Sequence, residues 1–315
     1  MSVSSKIIAS LRTDEGLIRG HNEDFVACWE PNTAEEAAQN GWLYVVADGV
    51  GGADAGEVAS QYASERAISH YLENEEALDW GARILNAMQR ANDDLRQMVV
   101  DRNDHKRMAT TMVAALIYDQ TALIANVGDS RGYLWRNNHL AQITKDQSLV
   151  AKLVEEGAIT ESEALNHPHK NVILYSIGSE KIAKIDLFEQ PLITGDILLL
   201  CSDGLTRHVA DEEIGQIIQE QPPDKATQTL IDLANERGGQ DNISVAVIQY
   251  HNDTEQSKSE QSTPEYNHIP AITTKPSASP PTNTAAGRSF LWGYTIVLSM
   301  VQTVLILLLW FFLRT

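Results

Sequence analysis

Residues Leu43–Ala47, Leu-Tyr-Val-Val-Ala, form an unbroken apolar run of β-branched and aromatic side chains that reads as a buried strand. The run stops on Asp48, and Gly49, Gly51, Gly52 and Gly56 follow. Those glycines let the backbone turn tightly and come close to another group. An acid at the mouth of an apolar strand, backed by bare main chain, suits a hard cation and a phosphate. Asp-Gly is also the commonest short-turn signal, so this stretch alone leaves both readings open. Recurrence decides between them: Asp129, Asp203 and Asp241 each stand beside Gly, Ser or Asn at the end of an expected strand.

A formal net charge of −19 argues against a nucleic-acid partner, whose phosphates would be repelled. Cys28 and Cys201 lack disulfide or zinc spacing and read as buried small hydrophobes in a reducing compartment. The first ten residues hold no apolar core of signal-peptide length, which keeps the bulk of the chain in the cytoplasm. Residues 251–288 are rich in Ser, Thr, Pro and Gln and read as a disordered linker. Such a linker reaches ~30 Å. Phe290–Leu313 carries no formal charge and has the length that a bilayer core demands, ~20 residues. With Trp292, Tyr294 and Trp310 near its ends, residues 289–313 are expected to be one C-terminal transmembrane helix in the cell (inner) membrane.

Between these limits, residues 1–250 read as one α+β domain. Strands are expected over 5–12, 24–30, 43–48, 112–118, 121–127, 172–177, 196–201 and 243–250, with a hairpin over 132–143. Helices are expected from about Gly56, over 82–100, in two pieces within 147–166, and over 212–219 and 224–237. Ile84, Met88, Ala91, Leu95 and Met98 make one apolar stripe at helical spacing. Thr160 followed by Glu163 has the spacing of a capping box. The polar stretch 32–40 and the segment 178–195 give no element. The natural packing is a four-layer sandwich, two antiparallel β-sheets face to face with helices outside.

Strand ends along one sheet edge lie together, so Asp48, Asp129, Asp203 and Asp241 are expected to converge. Without a cation, their mutual repulsion would raise their pKa values steeply. A divalent ion removes that penalty. An all-oxygen donor set without His or Cys pairs points to Mg²⁺ or Mn²⁺ rather than zinc. Two such ions acidify a water for in-line attack on phosphorus. Arg19 is the candidate phosphate clamp, since a guanidinium matches phosphate oxygens at two points.

Thr13-Asp14, Gly16, Arg19, Asn22-Glu23-Asp24, Val45–Gly52, Gly56-Glu57, Ala109-Thr110-Thr111, Gly128–Arg131, Ser202-Asp203-Gly204 and Asp241-Asn242 resemble, in order, the motifs of the metal-dependent protein phosphatase (protein phosphatase 2C) family, bacterial type. The resemblance implies hydrolysis of phosphoserine and phosphothreonine in proteins, opposite a Ser/Thr kinase. It implies that Asp48 bridges two metals and that the Gly49 carbonyl binds one of them. Asp203 and Asp241 would complete the first shell, Glu23 and Asp24 would hold the second ion, and Asp129 with Asp203 resembles a weaker third position. Arg19 would grip the substrate phosphate, Asn242 would support the ligands, and Thr110 and Thr111 would be structural. Val50 departs from a proposed general-acid histidine. Leu174-Tyr175 and Lys170 depart from the usual pattern in the expected flap, about 145–175. Two other readings stay beside this one: a phosphoprotein-binding module of weak activity, and a hydrolase of small phosphoesters.

Overall fold

A computed structural model describes residues 5–51, 55–73, 79–101 and 108–252. Its strands are β1 (Ser5–Asp14), β2 (Asp24–Trp29), β3 (Trp42–Val50), β4 (Ala109–Thr110), β5 (Met112–Tyr118), β6 (Thr121–Val127), β7 (Arg131–Arg136), β8 (His139–Gln142), β9 (Asp186–Pro191), β10 (Ile197–Cys201) and β11 (Ile243–Asn252). Its helices are α1 (Ala34–Asn40), α2 (Ala55–Glu73), α3 (Trp80–Asp101), α4 (Leu149–Glu155), α5 (Glu161–Leu165), α6 (Asp203–Thr206), α7 (Asp211–Glu220) and α8 (Pro223–Glu236).

The strands build two antiparallel sheets, one ordered β1-β11-β10-β7-β8 and the other β2-β3-β5-β6-β9, with β4 added beside β3. β3 shows why the layers number four. Successive side chains of a strand point to opposite faces. Leu43 and Val45 therefore pack with Ala59, Ala63, Ile84 and Met88 of α2 and α3. Tyr44 and Val46 face the other way, into a core with Leu198, Leu200, Ala246 and Ile248 of the second sheet. On that sheet's far side, Leu199, Val245 and Val247 pack with Ile214 and Ile218 of α7 and Leu230 and Ala234 of α8. The expected order of helix, sheet, sheet, helix is present.

Local signals explain most boundaries. The stripe on α3 buries Ile84, Met88, Ala91 and Leu95, while Met98 is partly covered. Asn137 and Asn138, at φ 52° and 60°, supply the two left-handed residues that a tight β7–β8 turn requires. Thr160 caps α5 in a full capping box with Glu163.

Four expectations fail. Residues 34–40 are helical, but α1 buries no side chain, so no stripe marks it and its signals are at its ends, the Thr33 cap and the Gly41 stop at φ 63°. Residues 172–177 form no strand and make only isolated bridges, Ser148 to Ile173 and Thr110 to Ile177. β9 was not anticipated: as an edge strand carrying Glu189, Gln190 and Pro191 it lacks the apolar run of a central strand. Cys28 is exposed although it shares the inter-sheet face of Val26 and Tyr44, because β2 is the last strand of its sheet and leaves the thiol uncovered. Gly52 and the expected linker and membrane helix, beyond Asn252, lie outside the described residues. No described helix is long and apolar enough to cross a membrane.

Candidate metal and phosphate site

The acids gather by topology, though not along one sheet edge as the sequence suggested. β2, β3 and β6 of one sheet bring Asp24, Asp48 and Asp129, while β10 and β11 of the other bring Asp203 and Asp241. Asp24 lies directly across from Asp48 in the β2–β3 ladder. Ser202 Oγ, from the second sheet, donates to Asp24 Oδ2 at 2.7 Å and so stitches the two groups together. The site sits over the seam between the sheets.

The main chain around each acid is fixed by bonds to uncharged groups. The Asp48 carbonyl accepts from the Thr111 amide at 2.8 Å and from Thr110 Oγ1 at 2.8 Å, and the Asp48 amide donates to Thr111 Oγ1 at 3.0 Å. Both threonines are thus structural, as expected. Asn242 is a three-way tie: its Oδ1 accepts from the Glu23 amide at 2.8 Å, and its Nδ2 donates to the carbonyls of Glu15 and His21, each at 2.9 Å. Ser60 Oγ donates to the Glu23 carbonyl at 2.6 Å, joining α2 to the same loop.

Gly49 and Gly56 are glycines because of close approach. A Cβ on Gly49 would lie 2.2 Å from the Gly56 carbonyl oxygen, and a Cβ on Gly56 would lie 2.8 Å from the Glu23 carboxylate and 3.0 Å from the Gly49 carbonyl oxygen. The Glu23 carboxylate and the Gly49 carbonyl therefore converge on one spot, which only a bare Cα leaves open.

Packing so many carboxylates into one cleft has an electrostatic cost. Burial first, then the charges of Asp24, Asp203 and Asp129, holds the Asp48 carboxyl well above its usual range. Burial likewise pushes Asp24 to about 7 against the opposing bonds from Ser202 and Ser244. Asp129 rises to about 7 through burial and then the charge of Asp203. Asp203 also rises, by burial, although Arg207 opposes the shift.

Two arginines offset part of this. Arg19 Nη2 lies 2.8 Å from Asp241 Oδ1. Arg207 bonds Asp203 Oδ2 through Nη2 and reaches Asp241 Oδ2 through Nη1 at 3.0 Å. Arg207 escaped the sequence reading; its one signal was its place four residues after Asp203, a helical turn apart.

The donor set fits a hard divalent ion. Asp203 Oδ1 is buried and, among the described residues, has no hydrogen-bond partner. A buried carboxylate oxygen left bare is costly, and an oxygen-seeking cation is the partner that this all-oxygen site would take. Among the described residues no three acidic, imidazole or thiol side chains already close into a complete ligand cage. The guanidiniums stand among the acids instead.

Residues 22–244 match the family model of protein phosphatase 2C. The chain belongs to the protein phosphatase 2C family. It is 39% identical over 246 residues to a serine/threonine phosphatase stp of Listeria monocytogenes, covering 76% of this chain and 95% of that one. It is 37% identical over 236 residues to the serine/threonine protein phosphatase PstP of Mycobacterium tuberculosis, covering 75% of this chain and 43% of that longer protein. Among solved structures, a PstP catalytic domain in complex with two manganese ions is 34% identical with a TM-score of 0.68, over 79% of this chain and 100% of that one. Stp1 of Staphylococcus aureus is 34% identical with a TM-score of 0.71, over 79% and 97%.

In this phosphatase 2C domain, Arg19, Glu23, Asp24, Asp48, Gly49, Asp203, Asp241 and Asn242 are linked by the contacts above, and Asp129 lies near enough for its charge to act on Asp48 and Asp203. The segment 145–175 joins this site through Gln147, whose Oε1 accepts from the amide of Gly128, next to Asp129, at 3.0 Å. Of the three residues that depart from the family pattern there, Leu174 and Tyr175 have different surroundings. Leu174 is 36% exposed, whereas Tyr175 packs on the helical core with Lys184 Nζ 4.5 Å from its ring. Val50, beside Gly49, is 39% exposed and offers no proton.

Proposed function

We propose that this chain is a metal-dependent protein phosphatase that hydrolyses phosphoserine and phosphothreonine in proteins, with Mg²⁺ or Mn²⁺ held by Asp48, the Gly49 carbonyl, Asp203, Asp241, Glu23 and Asp24. One observation carries the reading: carboxylates from both sheets meet around Asp48, and one buried oxygen of Asp203 has no partner among the described residues. Bound there, a pair of divalent ions supplies charge neutralisation for the phosphate and acidifies an attacking water. Asp24 and Asp48, fixed opposite each other by the β2–β3 register, set the spacing of the donors. Arg19 presents a planar pair of N–H donors to the phosphate oxygens from the site's exposed edge. Asn242 keeps the Arg19 loop and the Asp241 loop in one geometry.

The domain is attached to the membrane by residues 289–313, across the linker 251–288, with its active face in the cytoplasm, where it opposes a Ser/Thr kinase. This part rests on the uncharged apolar run alone. Tethering raises the effective concentration of membrane-bound phosphoproteins without a new contact.

Phosphate release from a phosphothreonine peptide and from p-nitrophenyl phosphate, with Mn²⁺ and then with chelator, tests the chemistry. Peptide turnover that stops in chelator is expected. Turnover that survives chelator, or Asp241→Asn, would sink the metal mechanism; turnover of the small ester alone would replace the substrate class. Truncation before Ser289 is expected to move the protein from the membrane to the soluble fraction, and a full-length chain that is soluble without detergent removes the anchor.

A further inference from the structure

Asp203 uses its two oxygens differently. Oδ2 accepts from Arg207, and Oδ1 is buried without a partner among the described residues. Arg207 holds its place by more than its side chain, because its amide donates to the Asp203 carbonyl at 3.0 Å across the single turn of α6. From there its second nitrogen reaches Asp241 Oδ2 at 3.0 Å. Asp129, 8% exposed, lies near enough to this flank for its carboxylate to interact with the charges of Asp203 and Arg207.

We propose that Arg207 is a built-in cation of the acidic site: its guanidinium takes the position between Asp129, Asp203 and Asp241 that a third divalent ion would need, so the chain binds two ions where its acids alone would bind three. This rests on the metal-dependent reading above and concerns the number of ions. A guanidinium keeps its charge at every physiological pH and cannot be diluted away, unlike a weakly held metal. It also lies on Asp203 Oδ2, so an ion that takes this oxygen has to break that bond first. The other oxygen, Oδ1, has no partner among the described residues and stays available to a cation. The charges agree with two ions: Glu23, Asp24, Asp48, Asp129, Asp203 and Asp241 are matched by two divalent cations together with Arg19 and Arg207.

Counting bound Mn²⁺ on the full-length protein, from the free-ion resonance signal in millimolar Mn²⁺, tests this without an activity assay. Two site-bound ions are expected for the wild type, and Asp129→Asn leaves that count at two. Arg207→Lys also keeps two. Arg207→Ala is expected to bind a third ion, which the double variant Arg207→Ala/Asp129→Asn loses again. Three ions on the wild type, one of them removed by Asp129→Asn, overturn the proposal, and that result stands even if Arg207→Ala fails to fold. An Arg207→Ala protein that folds and still binds two also overturns it. A wild type that binds none defeats the metal reading itself and is thereby told apart.

Discussion

Asp94, half-buried, and Asp203, more deeply buried, stand in opposite surroundings. Asp94, on α3, accepts from Arg66 Nε at 2.5 Å and lies 2.7 Å from His70 Nε2, both on α2. Burial alone would raise its carboxyl, but these bonds win and hold it below its usual range. Asp203 has Arg207 on one oxygen and, among the described residues, no partner on the other, and burial wins, so its carboxyl is raised. The first cluster is complete as folded and fastens two helices. The second is completed only by something the chain does not encode, which marks it as a site.

The widest break between the two comes from removing an acid. Asp48→Asn is expected to cut phosphatase activity by at least ~10²-fold, the upper end of what even supporting residues of metal sites cost. In chelator the same variant is expected to melt no lower than the wild type, since it relieves repulsion. Asp94→Asn is expected to do the reverse, keeping activity and losing about 1.5–3 kcal/mol by denaturant titration, the range for hydrogen bonds to charged groups. If Asp48→Asn melts well below the wild type in chelator, the two clusters are alike and the contrast collapses.

Asn242→Ala touches the site only through its supports and is expected to lower Mn²⁺ affinity ~10–100-fold. Isothermal titration would show this, and unchanged affinity would mean that the three-way tie does not position the ligands.

Binding shifts stability as well. At a hundredfold excess over Kd, Mn²⁺ is expected to add about 2.7 kcal/mol to the wild type. A melting temperature indifferent to Mn²⁺ would contradict the idea that the acids await a cation.

The last contrast is in pH. An acid whose folded pKa is raised stabilises the fold below its unfolded value, and that contribution fades as pH climbs through the folded one. For Asp24, raised from 3.8 to about 7, metal-free protein is expected to lose stability as pH rises from 4 to 8. Asp94 has the opposite sign: its contribution is present above the ordinary aspartate pKa and is lost as pH falls through its lowered folded value. A stability profile that climbs from pH 6 to 8 in chelator would reverse the sign assigned to the site.

The sequence revealed what is local or strongly patterned. β5 and β6 match their apolar runs to the residue, and the acids could be picked out because each follows a strand and a turn signal. Their meeting over two sheets could not be read, since a strand-end pattern does not say which sheet the strand joins. Arg207 was hidden for the same reason: its pairing with Asp241 spans separate elements. The segment 172–177 misled because its apolar residues resemble a strand, yet its amides bond to loop and β4 carbonyls, Leu174 to Gln147 and Ile177 to Thr110. α1 and β9, one uncovered and one at an edge, left no hydrophobic period to detect.

The knot that Asn242 ties between the first and last stretches of the domain also bears on how the protein is made. Arg19, Glu23 and Asp24 leave the ribosome early, but their partners Asp241 and Asn242 emerge more than two hundred residues later, just before β11 pairs with β1. A nascent chain therefore holds half a site throughout its synthesis, and a single proteolytic cut that frees β11 would return the finished protein to that inert state.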